Sequence, residues 1–300
     1  MTDFTSLLSC SKQEILELLN LADQFKYEQK NNIENKCLSG KTLGMIFEKS
    51  STRTRVSFEV GMYQLGGNAM FLSSTELQLG KGEPMKDTAR VLSRYLDAIM
   101  IRTYDHKEVT ELAEYASIPV INGLSDFAHP CQALADLLTI REYKTSFKNL
   151  KVCFIGDTYN VSNSLLVGCM KMNIPVAIAC PEGYCPPDEI VALGNETGLL
   201  TVTHDKLEAA RDADVVYTDV WYSMGQEDEI EKRKLDFAPF SVDNSVLAVA
   251  KPDAIVLHCL PAHRGEEISD EILEAHADEI FNQTENRLHV QKAILATLIK

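Results

Sequence analysis

The sequence has no long hydrophobic run and no basic leader, and both absences limit where the protein can work. Nowhere do about eighteen apolar residues follow one another, which is the length that a transmembrane helix needs. The start of the chain, 1–6, has neither basic residues nor an apolar stretch, so we expect no export signal. These absences favour a cytoplasmic protein without a membrane partner.

Positive charge is also scarce, because 29 lysines and arginines stand against 44 acidic residues. The formal net charge is therefore −15, which argues against nucleic acid or an anionic membrane as the main partner. Any site for an anionic ligand must then be a local feature of the surface.

Disulfide and metal motifs are missing as well. The eight cysteines are scattered through apolar segments without the dense spacing of a small secreted scaffold, so we expect reduced thiols. Cys180 and Cys185 lack further His or Cys ligands at zinc spacing. His258, Cys259 and His263 form only a partial ligand set. We therefore expect no metal.

Glycine-rich nucleotide motifs are absent or incomplete. Gly156 follows a short apolar run, but the second and third glycines of G-x-G-x-x-G are missing. No G-x-x-x-x-G-K-[ST] occurs anywhere. We expect neither a dinucleotide nor ATP.

What the sequence does contain is an alternation of short apolar runs with amphipathic segments, which is typical of parallel α/β units. Eight runs are predicted strands, four in each half: 43–47, 69–72, 98–101, 119–121, 151–155, 176–179, 215–218 and 255–257. A helical pattern over 132–143 precedes a polar segment, where we place a boundary. We predict an α/β fold with two doubly wound parallel-sheet domains, 1–146 and 147–284, and a final amphipathic helix over 285–300.

The segment 48–59, EKSSTRTRVSFE, places hydroxyls and two arginines where the first strand turns into a helix. Ser50 or Ser51 is the predicted N-cap. Unsatisfied amides, the positive end of the helix dipole and arginine forks can together hold a small phosphate without a metal. An ordinary capped helix with exposed arginines explains this segment equally well on its own.

Polar residues also follow the other predicted strands. Arg102 follows the third, 129–132 lies beyond the fourth, and 156–163, 219–225 and 258–261 follow strands of the second half. Ligands of open parallel sheets gather at the carboxyl ends of the strands, so this placement favours a functional site. A single histidine such as His129 would otherwise be read as a capping or packing residue.

Six separated motifs resemble those of the ornithine carbamoyltransferases, within the aspartate/ornithine carbamoyltransferase superfamily. They are FEKSSTRTR (47–55), QLGKGEP (78–84), KDTARVLSR (86–94), HPCQALAD (129–136), DVWYSMG (219–225) and HCLP (258–261). The first and fourth are shared with aspartate carbamoyltransferases. The last two are similar to the ornithine branch only, and they favour ornithine as the second substrate.

The resemblance implies two α/β domains, the first binding carbamoyl phosphate and the second L-ornithine, with the final helix packing back on the first. Its carbamoyl phosphate residues would be Ser51, Thr52, Arg53, Thr54, Gln78, Arg102, His129, Pro130, Cys131, Gln132 and Arg287. Its ornithine residues would be Asn163, Asp219, Ser223, Met224, Cys259 and Leu260. Arg102, His129, Asp219 and Cys259 would be catalytic. The resemblance also implies a homotrimer, or a multiple of trimers, in which Gln78 reaches a neighbouring subunit's site.

The implied reaction is attack by the neutral δ-amine of ornithine on carbamoyl phosphate, giving citrulline and phosphate, and it needs no cofactor. Ornithine's amine is mostly protonated at neutral pH, so the site must select or create the neutral form. A thiol is a weaker base than the amine, and we therefore expect Cys259 to orient the amine rather than to deprotonate it.

Two alternatives remain open. One is a carbamoyltransferase for another amine, such as putrescine, an acylated ornithine or aspartate. The other is a non-catalytic protein that binds carbamoyl phosphate. Whether the enzyme serves arginine synthesis or breakdown is not decided by the sequence, since the same chemistry runs in both directions.

Overall fold

A computed structural model describes residues 1–79, 82–223 and 225–300. The chain forms two compact units, of which the first comprises Met1–Ala135 with Glu285–Lys300 and the second comprises Asp136–Thr284. The chain passes from one unit to the other within a helix, Pro130–Lys144, and returns within another, Ala277–Leu298. The predicted domain boundary after residue 146 stays a prediction, and the division by contacts falls earlier, inside the first of these helices.

The first unit is built on four parallel strands in the order β2-β1-β3-β4. The strands are β1 (Thr42–Phe47), β2 (Asn68–Ser73), β3 (Ala98–Arg102) and β4 (Val120–Leu124). The helices are α1 (Lys12–Lys30), α2 (Thr52–Gln64), α3 (Met85–Leu92), α4 (His106–Tyr115) and the start of α5 (Pro130–Lys144). All four predicted strands of this half are present, and each continues beyond the predicted apolar run at one end at least, although β4 begins one residue later than predicted.

Strand β1 is central and almost entirely buried, and Gly44 shows how tightly its surroundings pack. A Cβ built on Gly44 would lie 2.4 Å from Leu96 Cδ1 and 3.3 Å from Leu72 Cδ1. Real Cβ atoms do not approach carbon this closely, so the glycine lets the neighbouring side chains cover the strand. The core from which the loop after β1 emerges is therefore close-packed.

The second unit is built on five parallel strands in the order β7-β6-β5-β8-β9. The strands are β5 (Val152–Ile155), β6 (Val176–Ala179), β7 (Leu200–Thr203), β8 (Val215–Thr218) and β9 (Ile255–His258). The helices are the remainder of α5, then α6 (Asn160–Lys171), α7 (Asp188–Thr197), α8 (Lys206–Ala210), α9 (Ile230–Phe237), α10 (Asn244–Leu247), α11 (Asp270–Ala275) and the start of α12 (Ala277–Leu298).

The prediction of four strands in this half was wrong, because β7 was missed. This strand lies at the edge of the sheet, and none of its four residues is fully buried. An edge strand with two threonines has no apolar run to mark it. The other four strands, and the α/β class with two parallel sheets, are confirmed.

The last helix is longer than predicted, since α12 begins at Ala277 rather than at residue 285. Its buried residues include Ile294 and Leu295, as the amphipathic pattern requires, but also the polar Asn286, Arg287 and Gln291. Among the helices of the described residues, none has both the length and the hydropathy needed to cross a bilayer.

Candidate active site

In the first unit, the carboxyl ends of three neighbouring strands bring the predicted phosphate residues to one edge of the sheet. Phe47, the last residue of β1, pairs with Arg102, the last residue of β3. Arg102 in turn pairs with Leu124, the last residue of β4. The loops that lead to α2 and α5 therefore start on either side of the end of β3.

The loop after β1 ends in a capped helix. Ser51 is the N-cap of α2, and its hydroxyl accepts a hydrogen bond of 3.2 Å from the amide of Thr54. This resolves the choice between Ser50 and Ser51 in favour of Ser51. Thr52 is exposed and Arg53 is half-buried in the first turn, where free amides and the helix dipole favour an anion.

Thr54 connects this turn to the last helix of the chain. Its side chain is fully buried, and its hydroxyl accepts a hydrogen bond of 2.7 Å from Arg287 Nη2 on α12. Arg287 is itself only 3 % exposed. A residue near the end of the sequence is therefore held against the loop that follows the first strand.

His129 lies at the start of α5 and is buried among positive charges. Burial lowers the pKa of His129 well below its usual value, and the guanidinium groups of Arg287, Arg102 and Arg53 lower it further. The imidazole is therefore neutral at physiological pH and can donate one ring N–H. Three guanidiniums around a neutral donor form an environment that suits an anion.

The neighbours of His129 in the sequence are also buried. Pro130 opens α5, and Cys131 and Gln132 lie in its first turn. The Cys131 thiol donates to the carbonyl oxygen of Asn122 over 3.5 Å, and burial raises the pKa of this thiol to about 12. Cys131 is thus a packing residue rather than a nucleophile. Gln78 is exposed on the loop before α3.

In the second unit, β5, β8 and β9 are neighbours, and their last residues are in register. Ile155 pairs with Thr218, and Thr218 pairs with His258. The next residues along the chain are Gly156, Asp219 and Cys259, which begin the three predicted ornithine loops. Asn163 follows on α6 and is buried.

Asp219 carries a strongly perturbed carboxyl group. Burial raises its pKa to about 6, and the nearby His258 partly offsets this. The closest approach is 3.9 Å between His258 Nδ1 and Asp219 Oδ1. At neutral pH this carboxylate is ionised and incompletely compensated, which suits it to a cationic amino group.

His258 organises the loop that contains Cys259 and Leu260. Its Nδ1 accepts a hydrogen bond of 2.8 Å from the Leu260 amide, so its Nε2 carries the proton that is donated to Glu267 Oε1 over 3.0 Å. Leu260 has φ +59°, a left-handed conformation that a leucine adopts only where its surroundings impose it. Cys259 is half-buried beside it.

Glu267 was missed by the sequence analysis. It is fully buried, and its Oε1 accepts from both His258 Nε2 and the His263 amide. As one glutamate in a strongly acidic chain, it had no feature that could have distinguished it.

The loop after β8 is tied down by a second residue that the sequence did not reveal. Arg233 on α9 donates to Asp157 Oδ2 over 2.8 Å and to the Trp221 carbonyl oxygen over 3.0 Å. This buried ion pair links the loop after β5 to the loop after β8. Ser223 is half-buried, with its amide bonded to Gln226 Oε1. The predicted ligand Met224 lies outside the described residues.

Comparison with known families agrees with both halves of this arrangement. Residues 2–142 match the family model described as "Aspartate/ornithine carbamoyltransferase, carbamoyl-P binding domain". Residues 148–298 match the model described as "Aspartate/ornithine carbamoyltransferase, Asp/Orn binding domain". The chain belongs to the aspartate/ornithine carbamoyltransferase family.

Individual relatives of this family member cover essentially all of it. The ornithine carbamoyltransferase of Anoxybacillus flavithermus is 55 % identical, over 99 % of this chain and 96 % of that protein. The solved ornithine carbamoyltransferase of Pyrococcus furiosus has a TM-score of 0.94 at 50 % identity, covering 99 % of this chain and 96 % of that one. The anabolic enzyme of Campylobacter jejuni has a TM-score of 0.94 at 46 % identity, covering 99 % of both chains.

Proposed function

We propose that this carbamoyltransferase moves the carbamoyl group of carbamoyl phosphate to the δ-amino group of L-ornithine, giving L-citrulline and phosphate. The observation that carries the proposal is the neutral, buried His129 among Arg53, Arg102 and Arg287, in a unit that matches a carbamoyl phosphate-binding domain. Full-length identity of 50 % or more to proteins named ornithine carbamoyltransferase supports ornithine as the acceptor.

On the carbamoyl phosphate side, the first turn of α2 would bind the phosphate through Ser51, Thr52, Arg53 and Thr54. Pro130, Cys131 and Gln132 would shape the same pocket at the start of α5. Arg102, His129 and Arg287 would lie against the phosphate and carbamoyl oxygens, where negative charge grows as the amine attacks. Donors that are already in place cost little reorganisation at that moment, and losing one often costs roughly 2–4 kcal/mol. A neutral His129 can donate a hydrogen bond to the substrate without adding a fourth positive charge beside the three arginines.

On the ornithine side, Asp219 would pair with the α-amino group, while Asn163, Ser223 and Met224 hold the α-carboxylate end. Cys259 and Leu260 would lie beside the δ-amine. The position of both residues depends on the left-handed backbone conformation of Leu260, whose amide is hydrogen-bonded to His258. The departing phosphate is the natural acceptor for the proton that the amine loses, since a thiol is too weak a base.

The assembly, location and pathway belong to the same proposal. We expect a homotrimer, or a multiple of trimers, in which the exposed Gln78 completes a neighbouring subunit's site. None of the eight cysteines, all of which lie in the described residues, is joined in a disulfide bond, and this supports a reducing, cytoplasmic setting. Relatives named anabolic support a role in arginine synthesis.

A product assay tests the function directly. The purified protein is incubated with carbamoyl phosphate and, in separate reactions, ornithine, putrescine, an acylated ornithine or aspartate, and the carbamoylated product is measured. Citrulline formation at least a hundredfold faster than any other product is expected. Faster reaction with another amine would show that this amine is the acceptor. If no amine gave a product, the remaining interpretation would be a non-catalytic protein that binds carbamoyl phosphate.

A further inference from the structure

A second group of possible ligands lies beyond the HCLP loop, in the segment between β9 and α11. His263, Glu266 and Glu267 each offer one nitrogen or oxygen atom, and these atoms all lie within 4.8 Å of one another. His263 Nδ1 is 3.8 Å from Glu266 Oε2 and 3.9 Å from Glu267 Oε2. Glu267 supports His258 through its Oε1, but none of these three side chains is assigned a contact with substrate in the proposed carbamoyl transfer.

Two of these atoms are buried and lack a hydrogen-bond partner. Glu267 is completely buried, and while its Oε1 accepts two hydrogen bonds, its Oε2 accepts none. His263 Nδ1 is likewise shielded from solvent and unpartnered, although the rest of its ring is partly exposed. A buried carboxylate oxygen normally finds a partner, because leaving it bare costs about 1–3 kcal/mol or more. A cation between two such atoms would satisfy both of them.

We propose that His263, Glu266 and Glu267 form a binding site for a divalent transition-metal cation such as Zn²⁺. Imidazole nitrogen and carboxylate oxygen bind zinc at about 2.0–2.2 Å, so tetrahedral ligands sit roughly 3.3–3.5 Å apart. The present separations of 3.8 and 3.9 Å exceed this by only a few tenths of an ångström. Rotation of the half-buried His263 and Glu266 side chains can close that gap, and water would fill the fourth position.

The surroundings of the site support its ligand geometry. Glu267 is held through Oε1 by the His258 ring and the His263 amide, which aims Oε2 at the His263 ring. A carboxylate fixed by such outer hydrogen bonds is a better metal ligand than a mobile one. The His263 ring is also oriented, because it stacks on Tyr222 with ring centroids 4.9 Å apart.

A metal ion bound at this site would also affect the loop after β8. Tyr222 donates to Glu266 Oε2 over 3.1 Å, and Lys234 pairs with Glu266 Oε1 over 2.8 Å. A cation on Glu266 would compete with both contacts and would release Tyr222. The neighbouring Trp221 is the only tryptophan of the chain and is buried, so its fluorescence reports on this change.

The sequence analysis expected no metal, and the proposed site is not a cofactor of the reaction. It reaches beyond the proposed function, because metal binding can be measured without any substrate. The test therefore separates failure of this inference from failure of the carbamoyl transfer.

The experiment uses the intact protein, first freed of metal with a chelator. Zn²⁺ is added in calorimetry and in tryptophan fluorescence, and Co²⁺ is followed by its visible absorption. Saturation at one equivalent per chain is expected, with a change in Trp221 emission and a tetrahedral Co²⁺ spectrum without a thiolate charge-transfer band. No saturable binding, or a thiolate band, would overturn the proposal.

Variants assign the site. The variants His263→Ala and Glu266→Gln should each weaken Zn²⁺ binding roughly tenfold or more. Because both side chains are partly exposed, the thermal midpoint of the metal-free protein should stay nearly unchanged. Glu274→Gln is the matched control, an exposed carboxylate that pairs with Arg264 outside the cluster. Cys259→Ser removes the nearest predicted active-site thiol. Unchanged binding in both site variants, or loss of binding in Cys259→Ser, would refute the assignment.

Discussion

We predict that the ionised Asp219 carboxylate lowers the stability of the folded protein while it contributes to ornithine binding. The variant Asp219→Asn allows the two effects to be measured separately. The carboxyl pKa is about 6 in the folded protein, against an ordinary value of 3.8, because the group is buried. The folded state therefore holds this proton more tightly than the unfolded chain does. The stability that comes from the protonated carboxyl is complete below about pH 3.8 and is lost as the pH rises through about 6.

The size of the loss follows from the pKa difference. Each unit corresponds to about 1.4 kcal/mol, so full ionisation costs at most about 3 kcal/mol. Because the Asp219 side chain is 17 % exposed, water screens part of that cost. We expect about 2 kcal/mol. Asparagine cannot ionise, so its advantage over wild type should grow by this amount between pH 4 and pH 8.

The assay is the urea midpoint of wild type and Asp219→Asn across this pH range, using the difference between the two proteins so that other titrating groups cancel. Asp253→Asn is a control of opposite sign, because hydrogen bonding and charge from Lys144 lower the pKa of Asp253. A difference between wild type and Asp219→Asn that stays constant with pH would refute the reasoning. In the same variant, ornithine affinity should fall roughly 10- to 150-fold, as for loss of a charged hydrogen bond.

Three further outcomes test other parts of the molecule. Arg53→Ala should raise KM for carbamoyl phosphate and lower kcat, with a combined loss of roughly 2–4 kcal/mol in kcat/KM; normal carbamoyl phosphate saturation would remove the α2 loop from the mechanism. Thr54→Val deprives Arg287 of its buried acceptor, so KM for carbamoyl phosphate should rise by a factor that corresponds to about 1–3 kcal/mol, and unchanged steady-state kinetics would contradict this. Gly44→Ala should destabilise the first unit by roughly 1–3 kcal/mol through overpacking against Leu96, and Leu96→Ala should relieve part of that loss in the double variant; strictly additive unfolding energies would show that no clash exists.

The fold was readable from the sequence wherever strands are buried on both faces. Val215–Thr218 and Val176–Ala179 are fully buried, and their apolar runs predicted both strands with the correct bounds. Leu200–Thr203 was not readable, because an edge strand need not be apolar. The start of α12 was placed too late, since Ile280 and Phe281 are the only large apolar residues in its first two turns.

The site was readable only as a set of motifs, and the roles of its residues stay predictions. Nothing local to His129 indicates that its neighbours are three arginines, one of which lies at position 287. The partners of His258 were equally hidden, because Glu267 and the Leu260 amide become its neighbours only through the turn after β9. Charges that meet through tertiary structure leave no periodicity in the sequence.

The hydrogen bond between Arg287 and Thr54 sets an order of events during synthesis. The two residues are separated by 233 positions, so this guanidinium reaches its acceptor only after the strands of both sheets have been synthesised. A nascent chain that has completed its first sheet still lacks one guanidinium of the proposed phosphate site. We therefore expect no partial product of translation to sequester carbamoyl phosphate at full affinity.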